Sequence, residues 1–162
     1  MLPVLTEAAE QFIAAREREG ARLSSDLLQK LDGIKAMTAT LAAATAANIA
    51  GYRARFEERL KNVMDDHGLI LDEGRVITEC AVYADRVAID EELVRLGSHF
   101  EALEALFASK ESVGRRIDFM LQETNREVNT IGSKCSDADM AHTVAEIKSE
   151  LEKIREQIQN IE

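Results

Sequence analysis

A single proline, Pro3, stands in the 162 residues, and it lies at the start of the chain. Proline breaks helix interiors, because it lacks a backbone N–H and its ring strikes the preceding turn. From Thr6 to about His67 no such break occurs. Residues suited to one helix face recur there at spacings of three and four. Leu5, Ala8 and Phe12 open the series, and Leu23, Leu27 and Leu31 follow. Ile34, Thr38, Leu41 and Thr45 continue it, then Ile49, Tyr52, Phe56, Leu60 and Val63. The pattern predicts one long helix of roughly 90 Å at 1.5 Å rise per residue. A helix of that length outruns a compact domain, so the pattern implies a coiled-coil-like arm or a partner chain. Thr6 is the expected N-cap, with Glu7 and Glu10 at the positive end of the helix dipole. Gly33 is the expected bend. Asp65-Asp66-His67-Gly68 is the expected end, Gly68 suiting a left-handed cap. The alanine-rich stretch 36–50 offers small side chains that let another helix approach closely.

Shorter patterns follow. Asp72-Glu73-Gly74 opens a second helix carrying Val76, Cys80, Tyr83 and Ala84. A third, from about Asp90 to Phe107, has the stripe Ile89, Leu93, Leu96, Phe100, Leu103 and Phe107. Residues 109–114 read as a loop. A fourth helix, from about Val113 to Ile131, uses Ile117, Leu121, Thr124, Val128 and Ile131, and Gly132-Ser133 is expected to break it. Ser136 or Asp137 caps a last helix with Val144, Ile147, Leu151, Ile154, Ile158 and Ile161. Strand formers are sparse, with only 4% aromatic residues. The expected fold is all-α: a long helical arm over residues 1–68 and a bundle of about four shorter helices over 69–162.

The formal net charge of −10 argues against a general nucleic-acid binder, because phosphates need local cations. The imbalance is uneven. Residues 1–68 hold 9 Lys+Arg against 10 Asp+Glu, and residues 69–162 hold 11 against 20. A basic face is therefore possible on the arm, and the acidic half could hold a divalent metal. Cys80 and Cys135 have no metal-type spacing and read as free thiols. No signal peptide and no membrane-length apolar run is visible, so a cytoplasmic, non-membrane protein is expected.

Two polar faces are candidates for chemistry. On the fourth helix Asp118, Gln122, Asn125 and Asn129 fall in line at offsets of 4, 7 and 11. This face reads either as a polar network between packed helices or as a ligand, RNA or metal site. On the third helix Glu92, Arg95 and His99 share a face, and Glu92 with His99 is a plausible metal or acid/base pair. On the arm, Arg18 with Arg22 and Arg55 with Arg59 lie one turn apart. They read either as a basic face or as partners of Glu19, Glu57 and Glu58. No aromatic interleaving supports reading of bases.

The run Gly114-Arg115-Arg116-Ile117-Asp118-Phe119, with Leu121-Gln122-Glu123, Asn125-Arg126-Glu127 and 129–134 (NTIGSK), resembles the signature of the YicC/YloC family of bacterial endoribonucleases. The tail 150–162 (ELEKIREQIQNIE), Arg16-Glu17-Arg18-Glu19-Gly20 and Glu91-Glu92-Leu93 with Ser98-His99 are similar to it too. The resemblance covers nearly the whole chain and corresponds to the family's C-terminal half, without its strand-rich first half. It implies a metal-assisted RNA phosphodiester hydrolase that forms homo-oligomers. On that reading Glu92, His99, Asp118 and Glu123 serve catalysis, and Glu92, His99 and Asp118 hold Mn²⁺ or Mg²⁺. Arg95, Arg115, Asn125, Arg126 and Asn129 hold RNA. The rival reading is a non-catalytic scaffold that oligomerises or holds another RNA-processing protein, with the Asp/Asn stripe as buried polar glue.

Overall fold

A computed structural model describes residues 2–65, 72–109 and 111–159. Among them the fold is all-helical, with five helices: α1 (Leu2–Asp65), α2 (Glu73–Val87), α3 (Asp90–Phe107), α4 (Gly114–Lys134) and α5 (Ala138–Gln159). The long first helix and the helical bundle are as the periodicity predicts. α1 starts before Thr6, so Thr6 lies inside the helix rather than at its cap, and α1 runs on through Gly33. The expected cap at Gly68 lies outside the described residues, as does Ile161.

The core explains the stripes. Leu31, Ile34, Leu103, Val128 and Ile154 are fully buried, and Leu96, Ile131 and Ile147 are nearly so. Leu27, Leu31, Ile34 and Leu41 of α1 share one core with α3, α4 and α5, so arm and bundle meet in it. α1 packs on α2, α3 and α5, while α4 packs between α3 and α5. Only the middle of the α1 stripe is covered. Near the start, Val4, Leu5, Phe12 and Ile13 stay exposed, and Val63 is exposed near the end. Length is the reason: a helix of 64 residues, about 96 Å, extends past helices of 15 to 22 residues. Thr38 and Thr45 face the bundle and are buried, with their hydroxyls donating to the carbonyls of Ile34 and Leu41 at 2.9 Å. Local bonds of this kind let a polar residue sit in an apolar seam.

Side chains tie the helix ends. Asp72 caps α2 by accepting from the Gly74 and Arg75 amides. Ser24 donates to the Phe107 carbonyl at 2.8 Å, occupying one of the acceptors that the end of α3 leaves over. Lys35 pairs with Glu104 on α3. Asp137 caps α5 by accepting from the Met140 amide at 2.8 Å and also receives the Asn48 amide at 2.6 Å. These bonds hold Asp137 below the usual aspartate range. Gly132 does not break α4, which continues to Lys134. A Cβ there would come within 3.1 Å of Val144 Cγ1, so the glycine allows α4 and α5 to approach closely.

Candidate functional site

The Glu92 side chain is only 5% exposed. Both its oxygens accept from Lys134 Nζ, at 3.0 and 2.9 Å, and Oε1 also accepts from Arg95 Nη2 at 3.2 Å. Arg95 Nε in turn donates to Glu127 at 2.8 Å. Two buried carboxylates and two cations thus form one network across the α3–α4 seam, with exposed Glu91 at its edge, 3.4 Å from Arg95. Burial pushes the Glu92 carboxyl up, but Lys134, aided by the helix backbone and Arg95, outweighs it and holds the pKa below the ordinary value. A carboxylate saturated by two cations has little left to offer a metal ion or a proton. His99 is half-buried one turn beyond Arg95, and its Nδ1 is buried without a hydrogen-bond partner.

Asp118 lies elsewhere. It accepts from Arg155 of α5 at 3.1 Å and from Gln122 at 2.7 Å. Sixteen residues of α4, about 24 Å along the helix, separate it from Lys134. The expected metal set of Glu92, His99 and Asp118 therefore does not assemble. Among the described residues no three His, Cys, Asp or Glu side chains stand close enough to hold one ion. The physical reason is partner choice, since Glu92 is spent on the α3–α4 seam and Asp118 on the α4–α5 seam. Glu123 is half-buried and faces Arg126 at 3.7 Å. Gln122, Asn125 and Asn129 are exposed, so the stripe is not buried glue. Arg115 is exposed beside Arg116 and Phe119 in a groove of about 430 Å³, far from Glu92.

A second arrangement takes up, of those expectations, the Arg55–Arg59 face of the arm. A cleft of about 470 Å³ lies between α1, α2 and the α4–α5 junction. Asn48, Tyr52, Arg55 and Arg59 line it from α1. Tyr83, Arg86 and Val87 line it from α2, and residues 133–137 close it. The Tyr52 and Tyr83 rings stack at 3.7 Å and 6°. Arg55 lies over Gly51, donating to the Asn48 carbonyl at 3.0 Å, where a Cβ on Gly51 would meet it at 2.5 Å. Arg53 does pair with Glu57, but it lies outside the cleft. Arg59 and Arg86 have no carboxylate partner among the described residues. Of the four cations that line the cleft, Lys134 is paired with Glu92, which leaves Arg55, Arg59 and Arg86 without a carboxylate partner among the described residues, and the lining carboxylate, Asp137, is engaged as a cap. Lys134 belongs to both arrangements, with Glu92 holding its ammonium at the cleft wall. Cys135 is inert there, since burial and the Asp137 charge push its thiol up.

Sequence reasoning missed Glu127, Lys134 and the cleft. A signal existed for the network: Glu92 stands three after Ile89 and four before Leu96, and Glu127 three after Thr124 and four before Ile131. Carboxylates at apolar stripe positions are buried ones that need cations. No local signal joins Tyr52 to Tyr83, because only the packing of α2 on α1 brings them together.

A long first helix packed on a bundle of four shorter ones, with a cation-lined cleft between them, defines an all-helical domain. The chain belongs to the family described as "Endoribonuclease YicC-like, C-terminal", which matches residues 41–162. It is 44% identical over 147 residues to "Probable endoribonuclease YicC" of Clostridioides difficile, covering 91% of this chain and 50% of that protein. It is 38% identical over 162 residues to the Haemophilus influenzae protein of the same name, covering 100% of this chain and 55% of that protein. The chain thus spans about half the length of the curated relatives it matches. No helix among the described residues is long and apolar enough to cross a membrane.

Proposed function

We propose that this chain is the RNA-handling helical module of a cytoplasmic endoribonuclease, and that RNA lies in the cleft lined by Arg55, Arg59, Arg86 and Lys134. One observation carries the reading: in a chain of net charge −10, three arginines without a carboxylate partner among the described residues line a single cleft, with Lys134 at its wall. Phosphates are recognised by such local clusters, whatever the overall balance. Relatives named as endoribonucleases make RNA the polyanion of choice. In this reading Glu92 is a positioning residue that holds Lys134. Mn²⁺ or Mg²⁺ belongs to the whole protein. Glu92, His99 and Asp118, engaged as they are with other side chains or set apart, do not form a ligand set for it.

The test is binding of a labelled RNA by the protein, wild type against Arg59→Gln/Arg86→Gln, at several salt concentrations. The double variant is expected to bind at least about tenfold more weakly and to lose salt dependence worth up to two phosphate contacts, a slope change of about 0.7 each. Unchanged affinity and slope would sink the reading. Cleavage by this chain and by a full-length relative, each with Mn²⁺, Mg²⁺ or EDTA, then locates the chemistry. Cutting by the chain alone puts the reaction in these helices, and cutting only by the longer protein makes them the RNA-holding part.

A second reading rests on a different observation. Val4, Leu5, Phe12 and Ile13 leave the start of α1 with an uncovered apolar face. A homo-oligomer, or another RNA-processing protein, would cover it. Sedimentation of wild type and a Leu5→Glu/Phe12→Glu variant separates an associating arm from a merely solvated one.

A further inference from the structure

The cations in the cleft account for phosphates, but they leave Tyr52 and Tyr83 unexplained. Two tyrosine rings stacked at 3.7 Å and lining a positively charged cleft are a costly use of aromatic residues in a chain with only 4% of them. Both residues are half-buried and line the cleft. Phe56, at 5.6 Å and 11° from Tyr52, extends the stack along α1. An aromatic pair lining the cleft beside Arg55, Arg59 and Arg86 has the two elements that single-stranded nucleic acid needs. The cations follow the backbone, and an aromatic face receives a base. Duplex RNA buries its base faces and is read by shape, so it cannot use the ring face.

We infer that the cleft takes an unpaired nucleotide, its base stacked on the Tyr52–Tyr83 platform and its phosphates on the flanking arginines. The inference rests on the proposed RNA-handling role and adds the class of RNA, a single-stranded segment. Stacking tolerates any base, so the platform selects for unpaired RNA over paired RNA rather than for a sequence. The carboxylate network plays a part, because Lys134, held by Glu92, closes the cleft wall opposite α1.

The chain provides its own probe. It has two tyrosines and no tryptophan, so its tyrosine emission arises from the platform alone. An RNA strand of about ten nucleotides, within the span such grooves track, is titrated into the protein alone and as a duplex with its complement. The single strand is expected to quench the emission and to bind at least about tenfold more tightly than the duplex. Tyr83→Leu keeps an apolar side chain against α1 but removes the ring. It is expected to lose about tenfold in single-strand affinity with its salt slope unchanged, and Tyr83→Phe is expected to restore it. Thermal melting of each variant checks that the fold is intact. If Tyr83→Leu binds the single strand like wild type, or if inorganic polyphosphate quenches as strongly as RNA, the platform is overturned. The two readings fail differently. Loss of binding in Arg59→Gln/Arg86→Gln without any effect of Tyr83→Leu keeps the cleft and removes the platform, whereas indifference to both removes the cleft.

Discussion

The two sides of α4 are held to their neighbours by different means. Toward α3 the apolar seam carries a buried ionic network: Glu92, 5% exposed, and Glu127, 10% exposed, meet Lys134 and Arg95, whose own side chains reach solvent. Toward α5 it is apolar and close, with Gly132 letting Val144 approach, while its ion pair, Asp118 with Arg155, sits at the half-open edge. The sequence suggests one catalytic set with Glu92 and Asp118 in it, yet their surroundings give them different energies. A buried carboxylate is costly unless its cations stay, so it fixes how α3 and α4 register. An exposed one gains little from its partner, because water competes.

The largest expected effect breaks the ionic seam. Lys134→Met leaves Glu92 buried with Arg95 as its remaining cation and should cost about 3 kcal/mol. That corresponds to a melting temperature lower by roughly 6–12 °C for a chain of this size. Glu92→Leu/Lys134→Met should recover most of that loss, since it leaves no unpaired buried charge. Acid provides a second readout of the same seam. Glu92 is held below its ordinary 4.5, so its contribution is complete above that pH and is lost as pH falls through the lowered value. Denaturation of wild type and Glu92→Gln across the neutral to acid range should show a constant gap that closes only in acid. Next comes the apolar seam. Gly132→Val drives branched methyls at Val144, whose Cγ1 would lie only 3.1 Å from the new β-carbon, and should cost about 2 kcal/mol by urea denaturation. The smallest effect is at the open edge, where Asp118→Asn should cost under about 1 kcal/mol in the same assay. A cost for Asp118→Asn equal to that of Lys134→Met would erase the distinction between the seams.

How legible this was depended on whether the information is local. Helix periodicity is local, and the α3 stripe from Ile89 to Phe107 and the α5 stripe from Val144 to Ile158 became core as expected. Gly132 misled because sequence shows a glycine's helix penalty but not the neighbour that rewards it. The site was harder. Glu92 and Arg95 were visible as a face, but Lys134, 42 residues along the chain from Glu92, decides what Glu92 does. Asp118 was equally visible, and the fold turned it toward α5 instead. The Tyr52–Tyr83 stack joins residues on two different helices, and aromatic spacing along one helix cannot reveal it.

α1 has one further consequence. Its first contact residue in the core is Leu23, so about 30 Å of helix project beyond the bundle before that point. The same rigid rod passes through the core and forms one wall of the cleft, from Asn48 to Arg59. It therefore joins the projecting tip to the cleft wall as one continuous helix, seated in the core at Leu27–Leu41.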